Sequence, residues 1–154
     1  MVANSVAERI ISNIKTTLEA IHVDAGYSFT MAQVLREDEV GFGGGLQVYP
    51  GAIISHPEQS IKVVGPSIID YRMMLTVEAW LTATGENKCP LLVELETDII
   101  HAMLVDPGRG GHAKDTLPIS TRGVSIGDDQ MLGGVWVRFD IPYRHNRTGP
   151  GVPI

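Results

Sequence analysis

The closing segment of the chain alternates between two sets of side chains over nine residues. One set is Val135, Val137, Phe139, Ile141 and Tyr143, and the other is Trp136, Arg138, Asp140 and Pro142. Because successive side chains of a strand point to opposite faces, this pattern predicts a strand with one face on a core. The other face is expected to meet water or a partner. A sheet must therefore be part of the fold.

Apolar residues at helical spacing predict two helices. The first runs from Val6 to Ile21 and begins with a capping box, in which Ser5 and Glu8 each satisfy the other's backbone amide. The second is an amphipathic helix from Leu91 to Met103, with Pro90 at its first position.

Further strands are predicted from Tyr27 to Leu35, in two pieces around Pro50 and Gly51, from Ile69 to Thr84, and from Leu117 to Ile126. Residues 57–66 are expected to form a loop. The order of elements predicts an α+β fold, a two-layer sandwich with a mostly antiparallel four- to five-stranded sheet and both helices on one face. We expect one domain over residues 1–154, with a short C-terminal tail at 144–154.

Composition and charge narrow the class of protein. The chain is 44% hydrophobic and 19% charged, which is typical of a globular protein, and its net charge of −6 does not favour nucleic acid as a partner. Residues 135–154 hold three Arg and one Asp, a local charge of +2, so the preceding residues carry −8. A basic end on an acidic body can dock one copy against the next. We expect neither a membrane span nor an internal disulfide, since Cys89 is the single cysteine.

The candidate chemical groups do not form a catalytic motif. Glu94, Asp98 and His101 share a helical stripe that favours a solvated or partner-facing surface over a metal site. Cys89 has no base at a recognisable spacing, and the glycine-rich stretches at 41–45 and 108–111 lack the spacing of a phosphate-binding loop. We therefore expect no enzymatic activity, no cofactor and no metal. Trp80 and Trp136, on the polar set of their strands, are candidates for contact with a partner.

The order of elements resembles that of the tail terminator, or tail completion, proteins of long-tailed bacteriophages, the family that includes the lambda tail terminator. The resemblance covers nearly the whole chain. Its most specific parts are the Tyr-Pro-Gly-Ala-Ile-Ile-Ser segment at 49–55 and the Ile-Pro-Tyr-Arg-His segment at 141–145, which is followed by Gly-Pro. The loops at 36–45 and 106–118 look longer than in compact members of the family, and such loops often become ordered only on assembly.

This resemblance implies a structural role in the virion. Such proteins assemble in the host cytoplasm into a hexameric ring on the head-proximal end of the tail tube. The ring stops tube polymerisation, joins the tail to the head through connector proteins, and lets genomic DNA pass through its lumen without specific binding. The contact residues it implies are Tyr143, Arg144, His145 and Arg147, with Glu94 and Asp98 as acidic counterparts.

Two other functions remain open from the sequence. The chain could be a different ring protein of the virion, either a head–tail connector (neck) protein or a tail tube subunit. It could also be a small soluble enzyme or ligand-binding domain, which would act as a monomer on a small molecule.

Overall fold

The computed structural model of the chain describes residues 5–40, 45–83, 87–125, 132–146 and 149–154. Helix α1 is Val6–Glu19 and helix α2 is Lys88–Val105. Single turns of 3-10 helix lie at Val23–Ala25 and Glu37–Glu39. The strands among these residues are β1 Gln33–Arg36, β2 Gly51–Ile54, β3 Glu58–Val63, β4 Ile68–Thr82, β5 Leu117–Ser125, β6 Leu132–Asn146 and β7 Gly149–Pro153.

The sheet is open and is built around β4 and β6, two antiparallel strands of 15 residues each. Strands β2 and β3 follow one another along the outer edge of β4, and β5 and β7 do the same along β6. Strand β1 pairs with β2 in parallel, and the other pairs are antiparallel. The predicted α+β fold with a mostly antiparallel sheet is confirmed, but the sheet has seven strands among the described residues instead of the four to five expected. The strand order at one end is β1-β2-β4-β6-β5, and β3 and β7 extend the sheet at the other end.

The helices pack on one face of the sheet, which alternating residues of β4 and β6 form. The five apolar residues of β6 from Val135 to Tyr143 are each at most 2% exposed, as the alternation predicts. Their partners in the core are Met73, Leu75, Val77, Ala79 and Leu81 of β4, Val6, Ile10, Ile14 and Leu18 of α1, and Leu92, Leu95, Ile99, Ala102 and Met103 of α2. A slip of one residue would place Arg138 and Asp140 in this core, so burial sets the register.

Two of the predicted strand segments are shorter than expected because side chains bind their backbone amides. Instead of extending from Tyr27, the first strand begins at Gln33, since the amides of residues 28–29 donate to the carboxylate of Asp98 at 3.1 and 2.9 Å. The amides of residues 47–48 donate to Oε1 of Gln33 at 2.8 and 3.3 Å, and β2 begins only at Gly51. Polar side chains here replace a neighbouring strand as hydrogen-bond partners.

The loop prediction for residues 57–66 is wrong, because Glu58–Val63 is strand β3. It forms a hairpin with β4, in which Glu58 lies opposite Met74 and Val63 lies opposite Ile69. All six residues of β3 are exposed. The strand is therefore held by its backbone hydrogen bonds to β4 rather than by burial, which explains why hydrophobicity alone did not indicate it.

The predicted tail at 144–154 belongs to the sheet in its described part. Strand β6 continues through Arg144 and His145 to Asn146, opposite residues 68–70 of β4. Strand β7 then returns along β6, with Gly149 paired to Asn146 and Pro153 to His145. The tail is thus an extension of the β4–β6 ribbon, because β4 begins early enough to supply it with hydrogen-bond partners.

The connection from α2 to β5, residues 106–116, is held by contacts within the chain. The side chain of Arg109 is fully buried, and its guanidinium donates to the carbonyl of Met103 and, at 3.3 Å, to the side chains of Asn13 and Thr17. A cation at this position also complements the C-terminal end of α2. Burial lowers the pKa of Arg109, since the charged form is desolvated. Arg109 thus anchors this loop to α1 and α2.

The helix starts differ in detail from the sequence prediction. The Ser5 hydroxyl accepts from the amide of Glu8 at 3.2 Å, as expected for a capping box. The carboxylate of Glu8 binds Arg36 instead of reaching back to Ser5, and that hydrogen bond lowers the pKa of Glu8. Pro90 is the third residue of α2, which begins at Lys88.

Candidate subunit interface

Arg144 lies opposite Asp70 in the β4–β6 register and pairs with it. Its Nε and Nη2 atoms donate to the two carboxylate oxygens of Asp70 at 2.6 and 3.0 Å, and Nζ of Lys114 donates to the same carboxylate at 3.1 Å. The hydrogen bonds from Arg144 hold the pKa of Asp70 well below its usual value, although desolvation opposes them. The first cation of the predicted tail therefore has an acidic partner within its own sheet.

Tyr143 and His145 lie on the buried face of β6 and are 2% and 7% exposed. The ring of Tyr71 stacks on both, with centroid distances of 4.9 Å to Tyr143 and 4.8 Å to His145. The hydroxyl of Tyr143 donates to the side chain of Gln59 on β3, and burial raises the pKa of Tyr143 because the phenolate would be poorly solvated. This placement leaves the two residues little surface for a neighbouring subunit.

The two acidic candidates on α2 differ in their surroundings. Glu94 is exposed, as the prediction requires. Asp98 is 6% exposed and accepts the amides of residues 28–29, so it faces the protein and is not an acidic counterpart for another subunit. His101 is exposed and makes an edge contact with Tyr27 at 5.6 Å. The three side chains predicted to share a stripe are therefore separated by the burial of Asp98.

Trp80 and Trp136 form a pair on the face of the sheet away from the helices. Their rings meet edge to face at 5.5 Å, and both indole N–H groups donate to the carboxylate of Glu78, at 2.5 and 2.9 Å. The Trp80 ring also lies directly over Gly134, on the neighbouring strand. Both tryptophans are half-buried by these contacts, so much of their apolar area is covered within the chain.

The fourth candidate of the C-terminal segment, Arg147, lies outside the described residues.

Helix α2 carries a second apolar stripe that the sequence analysis missed. Its residues Val93, Leu104 and Val105 are 62%, 44% and 68% exposed, and Ile100 between them is half-buried. A surface depression of about 460 Å³ lies along this stripe and is lined by Thr97, Ile100, His101, Leu104 and Val105. A helix that is apolar on two sides is typical of an element covered on both. The outer residues are visible in the sequence, but only the structure shows that they do not face the core.

Four strands of the described part, β1, β3, β5 and β7, each pair with one other strand. The outer edges of β3 and β5 are called the open edges here, because these two strands also expose apolar side chains. Within the described residues, β3 pairs with β4 alone and β5 pairs with β6 alone. Both strands expose large apolar side chains: Ile61 and Val63 are 62% exposed, and Leu117 and Ile119 are 42% and 49% exposed. Unpaired strand edges with apolar side chains are templates for pairing with another chain. In β3 only Ile61 and Val63 alternate with polar residues, a pattern too short to indicate a strand by itself.

Metal-ligating side chains do not converge in the part of the chain that the structure describes. No three His, Cys, Asp or Glu side chains of that part lie close enough together to hold a metal ion. The thiol of Cys89 is exposed and free. No helix within the described ranges is long and apolar enough to cross a membrane.

The sequence matches no protein-family model and no curated protein.

Proposed function

We propose that the chain is a tail terminator of a long-tailed bacteriophage, a structural protein of the virion. In this role it forms a ring, six copies being the number that the resemblance implies, on the head-proximal end of the tail tube. The ring stops tube polymerisation and offers a surface to the connector proteins of the head. The protein would assemble in the host cytoplasm and remain in the virion.

The observation that supports a ring best is the presence of two different open edges, β3 and β5, in one sheet. A ring of identical subunits needs two different surfaces that meet by rotation, whereas a two-fold dimer needs only one surface that meets itself. The apolar outer stripe of α2 adds a third uncovered surface, which suits contact with the tube or the connector.

The charge of the chain is consistent with DNA passing through such a ring. The net charge is −6, and of the cations in the basic end, Arg144 is paired with Asp70 while Arg138 lies 3.8 Å from Glu58. Fewer unpaired cations mean weaker attraction to phosphates, so DNA would move past without specific binding. An inner wall lined with unpaired arginine would contradict this part of the proposal.

The test is to add the purified protein to tail tubes that are still elongating. We expect one ring at one end of each tube, visible by negative-stain microscopy, and an arrest of elongation. Stacks of many rings would indicate a tube subunit, and a ring that binds heads but does not arrest tubes would indicate a connector. A protein that stays monomeric beside the tubes and binds a small molecule tightly would refute the proposal.

A matched pair of variants separates the apolar stripe of α2 from general charge effects. Val105→Glu places a charge on the stripe at a side chain that is 68% exposed, so the fold should be retained. Capping of tubes should weaken if the stripe is covered in the assembly. Glu19→Lys, at an exposed position at the end of α1, should leave capping unchanged.

A further inference from the structure

The two open edges have complementary directions. Strands β3, β4, β6 and β5 are connected by three antiparallel pairings, so β3 and β5 themselves run in opposite directions. If a second copy continues the sheet beyond β5, its β3 arrives antiparallel to β5, which is the arrangement that pairs most readily. The amide of His56, just before β3, donates to Glu37. The pairing is therefore confined to β3 itself, and residues 123–125 of β5 would turn aside there.

We propose that copies of this chain join edge to edge, with β5 of one copy paired to β3 of the next in the register that sets Arg122 opposite Glu58. Neighbouring pairs in this register are Thr121 with Gln59 and Ser120 with Ser60. The pairing deepens the proposed ring and rests on it, since it names the surfaces by which the copies meet.

The pleat of the two strands agrees with this register. Glu58 lies opposite Met74, and Arg122 lies opposite Trp136, positions whose side chains point away from the helices. Ser60 and Ser120 lie on that same face, and Gln59 and Thr121 lie on the helix face. A register displaced by one residue would place the side chains of each pair on opposite faces.

Several registers place the two side chains of each pair on the same face of the sheet, and charge favours this one among them. Opposite charges directly across two strands are favourable, and like charges are unfavourable. A displacement of four residues would set Lys62 against Arg122, and a displacement of two would leave Glu58 without an opposite charge. Glu58 has one cation within its own chain, Arg138 at 3.8 Å, and its side chain is 84% exposed, so it remains open to a second.

Apolar contacts reinforce the pairing at the next position. Ile61 of β3 is 62% exposed and Ile119 of β5 is 49% exposed, and the proposed register brings the two together. Ile119 lies at an irregularity between Pro118 and Ser120. The pairing would thus cover two of the large apolar side chains that a single copy leaves in water.

The register also produces a stagger that suits closure into a ring. Within one copy, Glu58 pairs with Met74, Met74 with Asp140, and Asp140 with Leu117, so Glu58 and Leu117 lie in one row across the sheet. Arg122 pairs with Trp136, which is four residues from Asp140 along β6. When Arg122 of one copy meets Glu58 of the next, the second copy is therefore shifted along the strand direction by four residues. This shift is about one residue for each of the four strands β3, β4, β6 and β5. With a rise of about 3.3 Å per residue and a strand spacing of about 4.8 Å, the strands would incline by about 35°. That inclination is typical of closed barrels.

Cysteine cross-linking tests the register directly. In a Cys89→Ser background, Ser60→Cys together with Ser120→Cys should give a ladder of disulfide-linked multimers after oxidation of the assembled ring. Residues directly opposite each other on antiparallel strands have Cα atoms about 4.5–5.5 Å apart, which a disulfide can span. The control pair, Lys62→Cys with Ser120→Cys, is displaced by two residues and keeps both Glu58 and Arg122, so it should cross-link far less.

Charge reversal tests the same register by a second route. Glu58→Lys and Arg122→Glu should each raise the concentration needed for assembly by about tenfold or more, and the double variant should recover most of the loss. Both side chains are exposed, so thermal unfolding of the single copies should be unchanged. Glu19→Lys should have no effect on assembly.

The outcomes separate this inference from the proposed function. Rings that cap tubes but show neither the Ser60–Ser120 cross-link nor rescue in the double variant would overturn the edge pairing and leave the tail terminator function standing. A chain that assembles neither at high concentration nor on tail tubes would overturn both.

Discussion

Replacing Gly134 with alanine should destabilise the protein by about 1–3 kcal/mol, the usual cost of inserting a methyl group where no space exists. A Cβ atom at position 134 would lie 2.8–2.9 Å from three carbon atoms of the Trp80 ring. Carbon atoms in contact normally lie about 3.5–4.0 Å apart, so the indole would have to move by roughly 1 Å. That movement would disturb the contact with Trp136 and the hydrogen bond to Glu78.

The sign of this effect is diagnostic, because glycine is normally a poor strand residue. Where space is available, replacing glycine with alanine in a strand stabilises by about 0.5–1 kcal/mol. Gly123 on β5 offers the matched control, since a Cβ atom there would have no heavy atom within 4 Å. We therefore expect Gly123→Ala to be neutral or stabilising and Gly134→Ala to be destabilising.

The assay is urea unfolding followed by circular dichroism, with tryptophan fluorescence as a second probe, since the chain has only two tryptophans. The cost of Gly134→Ala should largely disappear in a Trp80→Leu background, because the smaller side chain leaves room for the new methyl group. Equal costs in both backgrounds, or a stabilising effect of Gly134→Ala in the natural chain, would refute the packing described for this pair.

Three further predictions concern the core, a buried carboxylate and an ion pair. Phe139→Ala should cost about 3–5 kcal/mol in urea unfolding, since the ring is fully buried, and a result below 1 kcal/mol would contradict its place in the core. Asp98→Ala should cost about 1–3 kcal/mol and increase amide hydrogen exchange at residues 28–29, which lose their acceptor, while Asp98→Asn should cost less. Because Arg144 lowers the folded-state pKa of Asp70 below its ordinary 3.8, the unfolded state binds more protons as acid is added. This contribution to stability is present above about pH 4 and is lost as the pH falls below it, so Asp70→Asn should flatten the acid end of the stability profile.

The fold class could be predicted from local patterns in the sequence. The alternation in β4 and β6 and the helical spacing in α1 decide which side chains face the core, and burial then sets the register. Strand β3 was missed because its stability comes from backbone pairing with β4, and an exposed strand has no hydrophobic signature of a core. Its only pattern is the alternation of Ile61 and Val63 with Ser60 and Lys62, which is too short to predict a strand.

The candidate interface was predicted less well than the fold. The sequence marks Arg144, Asp98 and Trp80 as unusual, but it does not contain their partners as a local pattern. Asp98 accepts hydrogen bonds from backbone amides some 70 residues earlier in the chain, and Arg144 on β6 pairs with Asp70 on the neighbouring strand β4. Whether a polar side chain is satisfied internally or remains open to a partner depends on these long-range contacts.

By itself, the sequence determined that this protein has helices on one face of a sheet whose last strand buries Val135 to Tyr143. Only the tertiary structure decided which surfaces of the described residues remain open, among them the outer stripe of α2 and the edges of β3 and β5. The physical reason is that burial follows the local period of a helix or strand, whereas an edge is open only when no other segment of the chain reaches it.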